Sequence, residues 1–179
     1  PDHDAARRLW QTGRYEARIM AVLVADPDKL TSDEADDWCA AFDNWAICDT
    51  ACFALIDRTA YRWEKVHQWC NDPREYVRRA GFALIWALTT HDTSAGDAVF
   101  EDAMTLMEAH ASDDRPMVKK AIDMALRATG KRNMQLHASA IEVCNRLLKL
   151  EGSAGWIGRH ALKELQSEKV LARLQKRGQ

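Results

Sequence analysis

Between Trp45 and Asp57 the chain reads W-A-I-C-D-T-A-C-F-A-L-I-D, a helix-patterned run that is apolar almost all round except for Asp49. At helical spacing the Asp49 carboxylate lies one turn after the Trp45 indole, with Cys52, Phe53 and Ile56 on adjoining positions. A lone acid in such a setting costs free energy unless it is paired or put to chemical use. Paired, Asp49 would cap a neighbouring helix or hold an arginine, and Trp45 would be a core residue.

A second constellation follows Pro73 in R-E-Y-V-R-R-A-G-F-A-L-I-W. Arg79 falls with Tyr76, Ala83 and Trp86, while Val77, Ala80 and Leu84 form an apolar stripe elsewhere on the helix. A planar guanidinium can chelate phosphate oxygens while its stem packs among aromatic neighbours, or it can pair with a carboxylate. Asp49 is itself a possible partner. After Pro116 the apolar stripe is Val118, Ala121, Ile122 and Ala125, which leaves Met124 nearly opposite, beside Lys120 and Arg127. Met124 would touch a ligand or a nucleic-acid sugar, or stand as an ordinary scattered surface hydrophobe. Lys131, Arg132, Arg146, Lys149, Arg159, Lys163 and Lys169 extend the basic series. Cations on successive helices can track a phosphate backbone or simply keep a helix face solvated.

Other chemistries have no support. The sequence lacks a Gly-rich phosphate loop, H-E-x-x-H, G-x-S-x-G and a dinucleotide fingerprint, and its six histidines are scattered. The five cysteines form no C-x-x-C pair, so free thiols are expected rather than a disulfide framework. Cys48 with Cys52, and His67 with Cys70, share helix faces, but buried thiols explain them better than a metal site, and no cofactor is expected.

The elements that must position these residues are helices, because no segment shows the alternation of a half-buried strand. Helices are expected over 4–12, 15–25, 32–42, 45–57, 61–70, 73–89, 97–110, 117–129, 133–150, 156–167 and 168–176. Gly13 breaks the first two, and Thr31 with Glu34 forms a T-x-x-E capping box. Asn44 caps the helix from Trp45, and Asp72 with Pro73 and Asp114-Arg115-Pro116 are acid-then-proline openings. Gly152 and Gly155 separate the tenth helix from the ninth. Second members of helix pairs near Trp45, Pro73, Pro116 and Trp156 suggest a degenerate repeat of the HEAT type. The expected fold is all-α: a superhelical stack of degenerate HEAT-like antiparallel helix pairs, an α-solenoid, forming one domain over 1–179.

The formal charge of −2 conceals a partition. From Arg115 to Gln179 there are 14 basic residues against 5 acidic ones, whereas the preceding portion holds 11 basic and 22 acidic. Such asymmetry marks a polyanion-facing surface or a solvated helix face. No uncharged apolar run is long enough to cross a membrane, and Pro-Asp-His-Asp is not a signal sequence. A soluble, cytoplasmic monomer is expected, and the absent initiator Met suggests a trimmed chain.

Several stretches together resemble the HEAT-like-repeat DNA alkylation repair proteins, the alkylpurine DNA glycosylases. They are A-R-R-L-W-Q-T-G-R-Y-E-A-R from Ala6, D-D-W-C-A-A-F-D-N-W-A-I-C-D from Asp36, Y-V-R-R-A-G-F from Tyr76, V-K-K-A-I-D-M-A-L-R from Val118 and I-G-R-H-A-L-K-E-L from Ile157. The similarity spans essentially the whole chain, although family members usually carry further N-terminal helices. Under this resemblance Trp45 and Asp49 match the family's aromatic residue and catalytic carboxylate, and Arg79 matches its phosphate-contacting arginine. Met124 stands where the family has a second active-site Trp, and a thioether lacks the π face that could stabilise a cationic sugar.

The chemistry implied by the resemblance is hydrolysis of the N-glycosidic bond of an N3- or N7-alkylated purine in double-stranded DNA. Asp49 would stabilise an oxocarbenium-like sugar and position water, Trp45 would pack on the deoxyribose, and Arg79 would hold a phosphate. Most glycosylases flip the base out; the resemblance implies a base left largely in the stack. Lys120, Met124, Arg127, Lys131 and Arg159 are the expected DNA contacts. A non-catalytic DNA-binding module, or a protein-interaction scaffold using the acidic portion, are the alternatives.

Overall fold

The computed structural model describes residues 1–177; Gly178 and Gln179, the last two residues of the expected domain, lie outside the described residues. Among the described residues there are eleven α-helices, one 3-10 turn and no strand. The fold is all-α, built from HEAT-like helix pairs, and it divides into two compact units, Pro1–Leu88 and Thr89 onward.

The first unit contains α1 (His3–Gln11), α2 (Tyr15–Val24), α3 (Ser32–Ala40), α4 (Trp45–Ala54), a 3-10 turn (Ile56–Arg58), α5 (Arg62–Cys70) and most of α6 (Glu75–His91). Asp2 accepts a hydrogen bond from the Ala5 amide at 2.9 Å and starts α1. Gly13, at φ +69°, ends it, because a residue with a Cβ rarely adopts that conformation. Thr31 caps α3 by accepting from the Glu34 amide at 3.2 Å, but the reciprocal half of the capping box is absent. The Glu34 carboxylate is engaged instead by Arg7, at 2.8 and 3.1 Å, and by His3 at 3.0 Å.

In the first unit, two of the helix boundaries that differ from the sequence expectation do so because a side chain bonds within its own turn. The helix from Trp45 ends at Ala54, and the hydroxyl and amide of Thr59 both donate to the Ile56 carbonyl, which closes the 3-10 turn. α6 starts at Glu75 rather than Pro73, because Asp72 accepts from the Arg74 amide at 2.8 Å and also holds the Arg74 guanidinium. That Asx turn consumes Pro73 before the helix begins.

Two features consolidate the unit. Trp10 stacks on Trp38 with centroids 4.3 Å apart, and the Arg18 guanidinium lies 5.1 Å from the Trp10 ring centre. Lys65 is almost fully buried, yet its Nζ donates to Asp36 at 2.7 Å and to Gln68 at 2.9 Å, while the Trp69 indole donates to the other Asp36 oxygen at 2.7 Å. A buried ammonium is tolerable only with such partners.

The second unit holds α7 (Asp97–Ala109), α8 (Pro116–Thr129), α9 (Met134–Leu147), α10 (Gly152–Leu165) and α11 (Glu168–Arg177). α8 packs against α7, α9 and α10, and α11 rests on α10. Asp113, rather than Asp114, supports the opening of α8 by accepting from the Arg115 amide and holding its guanidinium. α10 begins four residues earlier than expected. Gly152 enters it at φ +65°, and Gly155 lies within it because a Cβ there would collide with the Leu150 carbonyl oxygen. Arg132 ties the start of the unit together. Its guanidinium donates to the carbonyls of Thr89, Asp92 and Ala95 and lies 4.2 Å from the Phe100 ring centre.

Candidate functional site

α4 and α6 meet through two thiols: Cys48 Sγ lies 3.6 Å from the Tyr76 carbonyl oxygen, and Cys52 Sγ lies 3.4 Å from that of Ala80. Phe53 meets Trp86 edge to face, with centroids 4.7 Å apart. These contacts set the helix register that brings Asp49 to Arg79. Arg79 Nε donates to Asp49 Oδ1 at 2.9 Å, and Nη2 donates to Oδ2 at 2.7 Å. The pair is a fork-to-fork ion pair in which the guanidinium is 4% exposed and the carboxylate 15%.

Asp49 is thus the carboxylate partner that the sequence left open for Arg79. The buried fork meets Asp49 through Nε and Nη2, so Arg79 positions that carboxylate. Asp49 retains limited solvent access, and one turn before it Trp45 is 57% exposed at the start of α4. Asn44 fixes that start by accepting from the Ile47 amide at 3.0 Å. A large indole left in solvent beside a constrained carboxylate is atypical of core.

The basic candidates lie in the second unit and fall into two groups. Lys120 and Arg159 are exposed, and Met124 is half-buried. Arg127 is held from both sides: it donates to Asp123 at 3.0 Å and to Glu164, while Lys131 Nζ donates to the other Glu164 oxygen at 2.6 Å. Arg127 is thus an internal partner rather than an open cation.

Asp123 was not singled out from the sequence. Its side chain is 3% exposed, and its second oxygen meets His160 Nδ1 at 2.9 Å. His160 stacks on Trp156 with ring centres 4.9 Å apart, and Lys119 Nζ lies 4.9 Å from the same indole. The available signal was the i, i+4 spacing of Asp123 and Arg127 beside Met124. Nothing in one helix reveals that His160 and Glu164 face it from α10.

The thiols offer no nucleophile. All five cysteines are buried, and burial pushes Cys39, Cys52 and Cys70 upward and Cys144 up to about 12. Among the described residues no group of three or more His, Cys, Asp or Glu could hold a metal ion. No helix among them is long and apolar enough to cross a membrane.

The fold is shared with a solved structure described as "a new family of proteins related to the HEAT-like repeat DNA glycosylases with affinity for branched DNA structures". The likeness has a TM-score of 0.78 and covers 97% of this chain and 76% of that one, at 18% sequence identity. Residues 1–165 match the family model described as DNA alkylation repair enzyme, and the chain belongs to that family. No curated protein matches the chain.

Proposed function

We propose that the protein is a DNA glycosylase that releases N3- and N7-alkylated purines from duplex DNA. The observation that carries this reading is the Asp49 carboxylate, clamped at both oxygens by buried Arg79 beside the exposed Trp45 indole. Family membership and the HEAT-like fold support it.

In the reaction the C1′–N9 bond breaks, and its electron pair goes to the base, where it neutralises the charge introduced by alkylation. Positive charge develops on the sugar. A water oxygen then bonds to C1′ and releases a proton. Asp49 would supply a fixed negative charge to oppose the cationic sugar, an electrostatic contribution that needs no reorganisation. Arg79 holds both carboxylate oxygens in one plane, and Trp45 offers an apolar face to the deoxyribose. Because alkylation has already made the base a good leaving group, no deep base pocket is required.

The test is incubation of methylated duplex DNA with wild type and with Asp49→Asn, followed by chromatography of free 3- and 7-methylpurines. Release by wild type and its loss in the variant are expected; no release by wild type overturns the reading. A second reading, a non-catalytic binder of branched DNA, is favoured by Met124 at the family's Trp position and by the described affinity of the solved relative. It predicts tighter binding to a four-way junction than to duplex, with no base released from either.

A further inference from the structure

We infer that a cleft at the C-terminal end of the second unit binds the phosphates of nucleic acid, and that Lys169 and Arg173 of α11 hold them. The inference rests on the DNA-binding part of the reading above and is independent of the glycosylase chemistry. The cleft has a volume of about 360 Å³ and is lined by Lys131, Glu164, Ser167, Lys169, Val170, Arg173 and Leu174.

The charges in this cleft do not balance within the protein. Glu164 is its one carboxylate, and both of its oxygens are already engaged, one by Lys131 and the other by Arg127. Hydrogen bonds from these cations outweigh the burial that pushes the Glu164 carboxyl up, so its charge is matched internally. Lys169 and Arg173 lie on the same wall and form no ion pair among the described residues. At i, i+4 spacing on α11 the two like charges repel one another. Lys176 continues the same stripe one turn later and is exposed.

α11 is anchored through its apolar residues Val170 and Leu174, which are buried, and not through the two cations, which are exposed. A multivalent anion would relieve the repulsion and find a planar fork in Arg173 suited to two oxygens. The apolar wall beside the cations suits a phosphate attached to a sugar better than a free ion.

The experiment uses the Lys169→Ala/Arg173→Ala double variant, in which both altered side chains are exposed. Duplex binding is measured by fluorescence anisotropy between 50 and 200 mM salt. The variant is expected to bind about tenfold more weakly at the mid-range, with a log–log salt slope reduced by roughly 1.8, the release of two counterions. The charge-keeping Lys169→Arg/Arg173→Lys variant is expected to retain most of the slope. An unchanged slope in the alanine variant overturns the inference.

Side-chain ¹H–¹⁵N resonances of Lys169 and Arg173 in wild type are then followed with a short duplex and, at matched ionic strength, with inorganic phosphate. Shifts with duplex at micromolar concentration are the expected result. Shifts with inorganic phosphate alone, or with neither probe, overturn the nucleic-acid assignment. Duplex shifts without base release would sink the glycosylase reading and leave this site standing.

Discussion

Arg79 reaches Asp49 with two parallel hydrogen bonds, so each residue is the structural precondition of the other. Removing the carboxylate leaves a guanidinium buried without its counter-charge, and removing the guanidinium frees the carboxylate to rotate. Substitutions at the two positions therefore separate chemistry from folding.

Asp49→Asn keeps one acceptor for Arg79 and is expected to destabilise by about 1–3 kcal/mol. Asp49→Ala should cost about 3–5 kcal/mol, because it strands a buried charge. Urea unfolding of both variants checks the order. Equal losses would mean that the fork geometry contributes nothing.

Trp45 is mostly in solvent, so Trp45→Ala should change stability by no more than about 0.5 kcal/mol. Base release should nevertheless fall by at least tenfold, about 1.4 kcal/mol of transition-state stabilisation. Single-turnover kinetics on methylated duplex measure this. A large stability loss with unchanged release would place Trp45 among the structural residues.

Acid should weaken the second unit through Glu164. Its carboxyl is partly buried, which alone raises its pKa, but hydrogen bonds from Lys131 and Arg127 bring it below the ordinary 4.5. A depressed folded value contributes stability above about 4.5 that disappears as pH falls through the lower folded value. Glu164→Gln should therefore flatten the fall in unfolding free energy on the acid side. An identical pH profile in wild type and variant would remove Glu164 from the acid response.

Gly81 marks the approach of α6 to α5. A Cβ there would meet the Cys70 backbone nitrogen at 2.5 Å, and backbone cannot swing aside as a side chain can. Gly81→Ala is expected to destabilise by about 1–3 kcal/mol despite the better helix propensity of alanine. Thermal unfolding checks it, and a stabilised variant would show that the two helices separate easily.

The residues themselves announced most of the helices, because apolar periodicity and capping side chains are local signals. Asn44 before Trp45 is such a case, and the structure has the expected cap. The capping box was half readable. Thr31 acts as predicted, but Glu34 is taken by Arg7 and His3, whose approach depends on packing. Boundaries failed where a side chain bonded its own turn, as at Asp72 and Thr59.

At the candidate site, spacing made Asp49 and Arg79 conspicuous but left open whether they faced each other. Register between α4 and α6 resolves that, and it depends on Cys48 and Cys52 meeting carbonyls across the interface. Arg127 looked like an open cation because Glu164, 37 positions away, cannot be inferred as its partner from one helix face.

The three carbonyls gathered by Arg132 include that of Thr89, within the last turn of α6, a helix whose earlier residues belong to the first unit. The amides of one continuous helix should then exchange with deuterium in two classes. Those near Arg79 would follow the opening of the first unit, and those near Thr89 would follow the region secured by Arg132. Exchange along α6 would then read, from within one helix, the local stability near Arg79 and near Thr89.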